Sequence, residues 1–183
     1  MALFDVLAVV VDALDQSGIP HMVSGSVASA RHGESRATQD IDIVIDPSRE
    51  QILHFDALLG SAGWYVGDGL EALERRSQFN VIDSTSGWKV DLVIRRDRPF
   101  SIAEFARRRP TVIGGVATSI VTVEDSILSK LEWARDSRSE RQLRDVTSMI
   151  AQQRTSIDWD YVRSWADELG VRDLLDEVSR PPS

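Results

Sequence analysis

Apolar residues recur at two spacings along the chain, and the switches between them mark out its elements. Leu3, Phe4, Leu7, Val10, Val11 and Leu14 fall at helical spacing with Asp5, Asp12 and Asp15 largely opposite, which predicts a helix over residues 3–14 that Gly18 is placed to end. Short extended runs follow over residues 20–23, 41–45 and 64–66. Residues 78–83 alternate as a strand, and a Ser-Thr-Ser-Gly turn returns the chain over residues 88–94 as the hairpin partner. A helix over residues 47–60 is expected, with Asp46 as cap, Pro47 in the first turn, Gly60 near its end, and Ile52, Leu53, Phe55, Leu58 and Leu59 for the core. Residues 70–76 read as a brief helix or part of a loop. Residues 100–108 predict a short helix, and residues 111–121 two small strands about Gly114 and Gly115.

From Thr122 the pattern is helical. Thr122 to Asp125 reads as a capping box, and Ile127, Leu128, Leu131 and Trp133 take the apolar positions beyond it, with Lys130 on the second turn. Arg135, Arg138, Arg141 and Arg144 recur every three residues, a slowly rotating helical stripe. Residues 158–169 and 171–178 predict two helices parted by Gly170, with Trp159, Val162, Trp165, Leu169, Leu174 and Leu175 as core. The expected fold is α/β of the α+β kind: a mixed, mainly antiparallel twisted sheet of about five strands flanked by helices, with a C-terminal helical extension. The expected division is an α/β domain over residues 1–121 and a helical region over residues 122–183 packed on it.

With 183 residues and 42% hydrophobic content, the chain can bury one ample core. It contains no cysteine, which removes disulfides, thiolate metal sites and cysteine nucleophiles together. No cationic stretch precedes the first apolar run, and acids interrupt it, so neither a signal peptide nor a membrane span is expected, and a cytoplasmic protein fits. The net charge of −8 opposes long-range attraction to nucleic acid. Locally the balance reverses: Arg95, Arg96, Arg98, Arg107, Arg108 and Arg109 form either a solvated loop and helix end or a groove for an acceptor such as a tRNA or a protein.

The candidate chemistry lies in residues 25–46. Asp40 and Asp42 are one residue apart in the strand-like run, so their carboxylates leave the same face and can share a divalent cation. Upstream, Gly25 and Ser26 end a strand and open a short helix. The glycine admits a phosphate close to the backbone, and the first helical amides with the Ser26 hydroxyl are donors suited to a triphosphate. Asp91 offers a third carboxylate if its strand pairs beside the first. Arg36 and Thr38 either steady the intervening loop or touch phosphate. An Asp-x-Asp triplet alone says little in a chain with 19 aspartates; the second one, Asp158 to Asp160, reads as a helix cap followed by a first-turn acid. His21, His32 and His54 lack metal-ligand or triad spacing and read as structural.

The order of Gly25-Ser26, then Asp40-Ile41-Asp42, then Asp91 on a later strand resembles the nucleotidyltransferase superfamily typified by polymerase beta. The wording of residues 36–42 looks most like small bacterial nucleotidyltransferases that include abortive-infection type toxins. The resemblance covers residues 20–95, with a weaker echo over residues 124–145. It implies a metal-dependent enzyme moving a nucleoside monophosphate from an NTP to a hydroxyl on a small molecule, a tRNA or a protein, in a toxin-antitoxin or phage-defence setting. It implies two Mg2+ ions on Asp40, Asp42 and Asp91, with Asp91 also taking the acceptor proton. Gly25, Ser26 and Lys130 would hold the triphosphate, and Arg141, Arg144 and Asp145 would buttress the site. The alternative is a catalytically inactive nucleotide-binding or regulatory module of the same fold.

Overall fold

The computed structural model describes residues 2–33 and 40–180. They fall into two compact units, one of residues 2–27 and 40–121, the other of residues 28–33 and 122–180. The first unit is built on a sheet of β1 (His21–Ser24), β2 (Ile41–Ile45), β3 (Trp64–Val66), β4 (Gln78–Asp83), β5 (Lys89–Ile94), β6 (Arg109–Ile113) and β7 (Val116–Ile120). Its helices are α1 (Leu3–Gln16), the start of α2 (Gly25–His32), α3 (Arg49–Ser61), α4 (Gly69–Arg75) and α5 (Pro99–Ala106).

The strands lie in the order β3-β4-β5-β2-β1-β7-β6. The β1–β2, β3–β4, β4–β5 and β6–β7 pairs are antiparallel, while β2–β5 and β1–β7 are parallel. The sheet is therefore mixed and mainly antiparallel, as expected, but has seven strands. The extra width comes from the hairpin over residues 109–120, which joins through β7 at Val23↔Ile120. Gly114 and Gly115 both hold positive φ there, the geometry a two-residue hairpin turn requires.

Alternation sets the two faces of the central strands apart. Ile41, Ile43 and Ile45 of β2 and Val90, Leu92 and Ile94 of β5 are buried. The apolar stripes of α1 (Leu7, Val10, Leu14) and α3 (Ile52, Phe55, Leu59) are buried as well. The opposite face of β2 and β5 is left half-open and carries the polar residues.

Two expectations about this unit are corrected. Ser48, not Asp46, caps α3: it accepts from the Gln51 amide, and the Gln51 side chain accepts from the Ser48 amide. Asp46 instead meets Arg95 at 2.9 Å. Leu53, expected in the core, is half exposed on the outer side of α3.

Asp56 of α3 has a buried Oδ1 with no hydrogen-bond partner among the described residues. Burial, with the Asp68 charge second, pushes its carboxyl up to about 6 from 3.8. Because the folded-state value lies above the unfolded one, the unfolded chain loses this proton first, and stability falls as pH rises from about 4 to 6. Asp56→Asn should therefore stabilise the chain near pH 7 by about 1 kcal/mol, a modest figure because the side chain is partly open to water. Below about pH 4 the gain should vanish; urea unfolding at the two pH values measures both.

The second unit holds α6 (Val123–Ser137), α7 (Glu140–Gln153), α8 (Trp159–Glu168) and α9 (Arg172–Val178). Thr122 caps α6 and Asp158 caps α8, each accepting from an amide three residues on. The arginine stripe does not run along one helix. Arg138 takes a left-handed conformation that ends α6, and α7 restarts at Glu140. Trp133, expected in the core, is 62% exposed, and Ala134 is buried in its place. Among the described residues no helix is long and apolar enough to cross a membrane.

Candidate active site

The parallel pairing of β2 with β5 sets Asp42 directly beside Asp91, on the same face and about 4.8 Å apart in the strand spacing. Ser24 pairs with Asp42 from one side, and Asn80 with Asp91 from the other. Four polar side chains thus form a row across β1, β2, β5 and β4, all partly open to solvent. Asp40 stands one residue ahead of β2. Extending the register by that residue sets it opposite Lys89, which shares a face with Asp91.

The turn from β1 into α2 comes up against Asp42 in this row. Gly25, at φ +59°, lies so near Asp42 that a Cβ built on it would sit 1.9 Å from Asp42 Oδ2. Only glycine fits both the conformation and the contact. The first turn of α2, with Ser26, is therefore held against the second carboxylate of the Asp-x-Asp triplet, which is the proximity the sequence order implies.

Lys89 had no role in the sequence reading. Its Nζ donates to Asp91 Oδ2 at 2.8 Å. That hydrogen bond first, and then the charges of Asp91, Asp40 and Asp42, hold its pKa above the ordinary lysine value. The two-residue offset from Asp91 in Lys89-Val90-Asp91 is the signal that could have found it. Among the described residues no three acidic or histidine side chains stand as a closed cation cluster. As placed, Asp42 and Asp91 form an adjacent pair, Asp40 flanks it from beyond the strand end, and Lys89 stands among them.

The remaining candidate residues belong to both units. Arg36 and Thr38 lie outside the described residues. Lys130, on α6 in the second unit, is buried and donates to Asp145 Oδ2 at 2.9 Å and Gln142 Oε1 at 2.7 Å. Arg141 and Arg144 are exposed, the latter near Glu140, so of the expected buttress Asp145 alone meets Lys130. In the arginine segment Arg95 is engaged by Asp46, while Arg98 and Arg108 lie over Phe100 and Phe105. Arg96 and Arg109 are exposed.

No protein-family model matches the sequence, and no curated protein matches it. Solved structures do. A solution structure of the antibiotic-resistance factor ANT(2'')-Ia superposes with a TM-score of 0.63 at 14% identity, covering 94% of each chain. A crystal structure of ANT(2'')-Ia with adenylyl-2''-tobramycin gives 0.61 at 17% identity, covering 92% of this chain and 97% of the other. The lincosamide antibiotic adenylyltransferase LnuA, lincomycin-bound, gives 0.51 at 13% identity over 80% and 93%. This chain has the nucleotidyltransferase fold. The resemblance in residues 20–95 therefore holds at the level of fold, and the row of Ser24, Asp42, Asp91 and Asn80 is this nucleotidyltransferase fold's polar face.

Proposed function

We propose that the chain is a metal-dependent nucleotidyltransferase that moves a nucleoside monophosphate from an NTP to a hydroxyl on an acceptor. The observation that carries this reading is the adjacent pair Asp42 and Asp91, with the Gly25 turn against Asp42. The donor set is all oxygen, which suits a hard divalent cation such as Mg2+, and the missing Cβ at Gly25 lets the turn into α2 come up against the Asp42 carboxylate. Asp40 and Asp42 would hold two ions and Asp91 the one on the acceptor side. When bound, Mg2+ supplies charge neutralisation at the triphosphate and acidifies the acceptor hydroxyl.

The chain's own groups divide the remaining work. An Asp91 oxygen takes the acceptor proton, directly or through a water, as the acceptor oxygen bonds to the α-phosphorus. The bond from that phosphorus to its bridging oxygen breaks in line, and pyrophosphate leaves. The first amides of α2 and the Ser26 hydroxyl donate to the β- and γ-phosphates. The family resemblance also assigns Lys130 to the triphosphate.

The neighbours narrow what to test first. Their names speak of adenylyl transfer and of tobramycin and lincomycin, which favours ATP as donor and a small molecule as acceptor over a tRNA end or a protein side chain. The test is incubation with each α-phosphate-labelled NTP, Mg2+ and a cell extract, followed by separation into small-molecule, RNA and protein fractions. Metal-dependent label in the small-molecule fraction is expected. Label in RNA or protein would point to a toxin-like role instead. Nucleotide binding without transfer to any fraction would sink the enzyme reading in favour of an inactive module.

A further inference from the structure

Three carboxylates and one ammonium share a small block of the sheet. Asp42 stands beside Asp91, and two residues upstream the same register, extended by one pair, sets Asp40 opposite Lys89. Like charges on adjacent strands repel, and among the described residues Lys89 is the cation bonded to Asp91. The ammonium lies at 2.8 Å from Asp91 Oδ2 and within the field of the other two acids. A divalent cation held by these carboxylates would lie within a few ångströms of the Lys89 ammonium and would be repelled by it if it stayed in place.

We infer that Lys89 is the resident counter-cation of the carboxylate block, that a divalent cation must displace it to bind, and that it thereby sets the site's metal affinity. The inference rests on the metal-dependent reading above. The side chain is suited to displacement: it is 42% exposed, so its head can withdraw into water on a flexible stem without stranding a buried charge. Lys130, at 9% exposure, has no such route. Balancing charge in this way keeps the block folded before metal arrives and makes the site select against weakly held cations.

The experiment titrates Mn2+ alone into the wild type, Lys89→Gln, Lys89→Arg and Arg75→Gln, reading free ion by electron paramagnetic resonance. Melting temperatures are taken with and without Mn2+. Removing one unit charge a few ångströms from the ion should tighten Mn2+ binding in Lys89→Gln by about tenfold. That variant should also melt lower than wild type without metal and recover when Mn2+ is added. Lys89→Arg, which keeps the charge, should bind as wild type does. Arg75→Gln removes the same charge from an exposed position on α4, where it pairs with Glu71, and should leave the affinity unchanged. Equal or weaker binding by Lys89→Gln overturns the counter-cation role while leaving the metal reading intact. No Mn2+ binding by wild type or Lys89→Gln overturns both.

Discussion

Asp91→Asn should cut transfer of the labelled phosphate by about 10³-fold while leaving the fold in place. Asparagine matches the carboxylate in size, and its Oδ1 can still accept from Lys89 Nζ, so the β2–β5 pairing that holds Asp42 at its side has no reason to change. What is lost is the charge and the proton acceptor. Asp91 sits on the half-open face of the sheet, so a melting temperature near wild type is expected. Single-turnover rates with the labelled donor, alongside the melting curve, give both quantities. A rate within a few-fold of wild type would remove Asp91 from the reaction and with it the pair on which the proposed function rests.

The largest expected loss of stability comes from Lys130→Met. Lys130 and Asp145 are each 9% exposed, and the ammonium also serves Gln142. Removing it takes away the ammonium at 2.9 Å from the buried Asp145 carboxylate, which should cost about 3–5 kcal/mol in urea unfolding. Adding Asp145→Leu removes the buried carboxylate as well and should recover most of that loss, since a buried ion pair replaced by apolar groups is often near neutral. The double variant then separates structure from chemistry. If it folds normally and its KM for the NTP rises sharply, Lys130 serves the nucleotide. If its kinetics match wild type, the pair is structural and the assignment of Lys130 to the triphosphate falls.

Much of the site was legible because strand parity is a short-range property. The alternation in residues 41–45 and 88–94 places Asp42 and Asp91 on the polar faces of their strands, and the Gly25-Ser26 turn is read from two residues. Lys89 escaped because its meaning depends on which strand lies beside β5, a pairing between segments far apart in sequence. The same limit explains Asp46. As an Asp before proline it reads as a cap, yet Arg95, which follows the neighbouring strand, claims it, and Ser48 takes the capping role with Gln51. The break between α6 and α7 was hidden because Arg138, at φ +53°, does what glycine does at most helix ends, so the arginine spacing reads on as one helix. Trp133 shows that apolar character at helical spacing does not fix which side of the helix is covered when a small residue, Ala134, lies next to it.

The parallel contact between β2 and β5 has a bearing on how the chain acquires its chemistry. The two strands meet only after α3, β3, α4 and β4 have been made and folded back between them, a long closure of the kind that slows folding. A nascent polypeptide that has emerged only as far as the turn after β4 already carries the Asp-x-Asp triplet and the glycine turn, but neither Asp91 nor Lys89. The Asp42–Asp91 pair therefore forms only when β5, complete at residue 94 of 183, docks beside β2, and a chain shorter than that holds the triplet and the glycine turn without their third carboxylate.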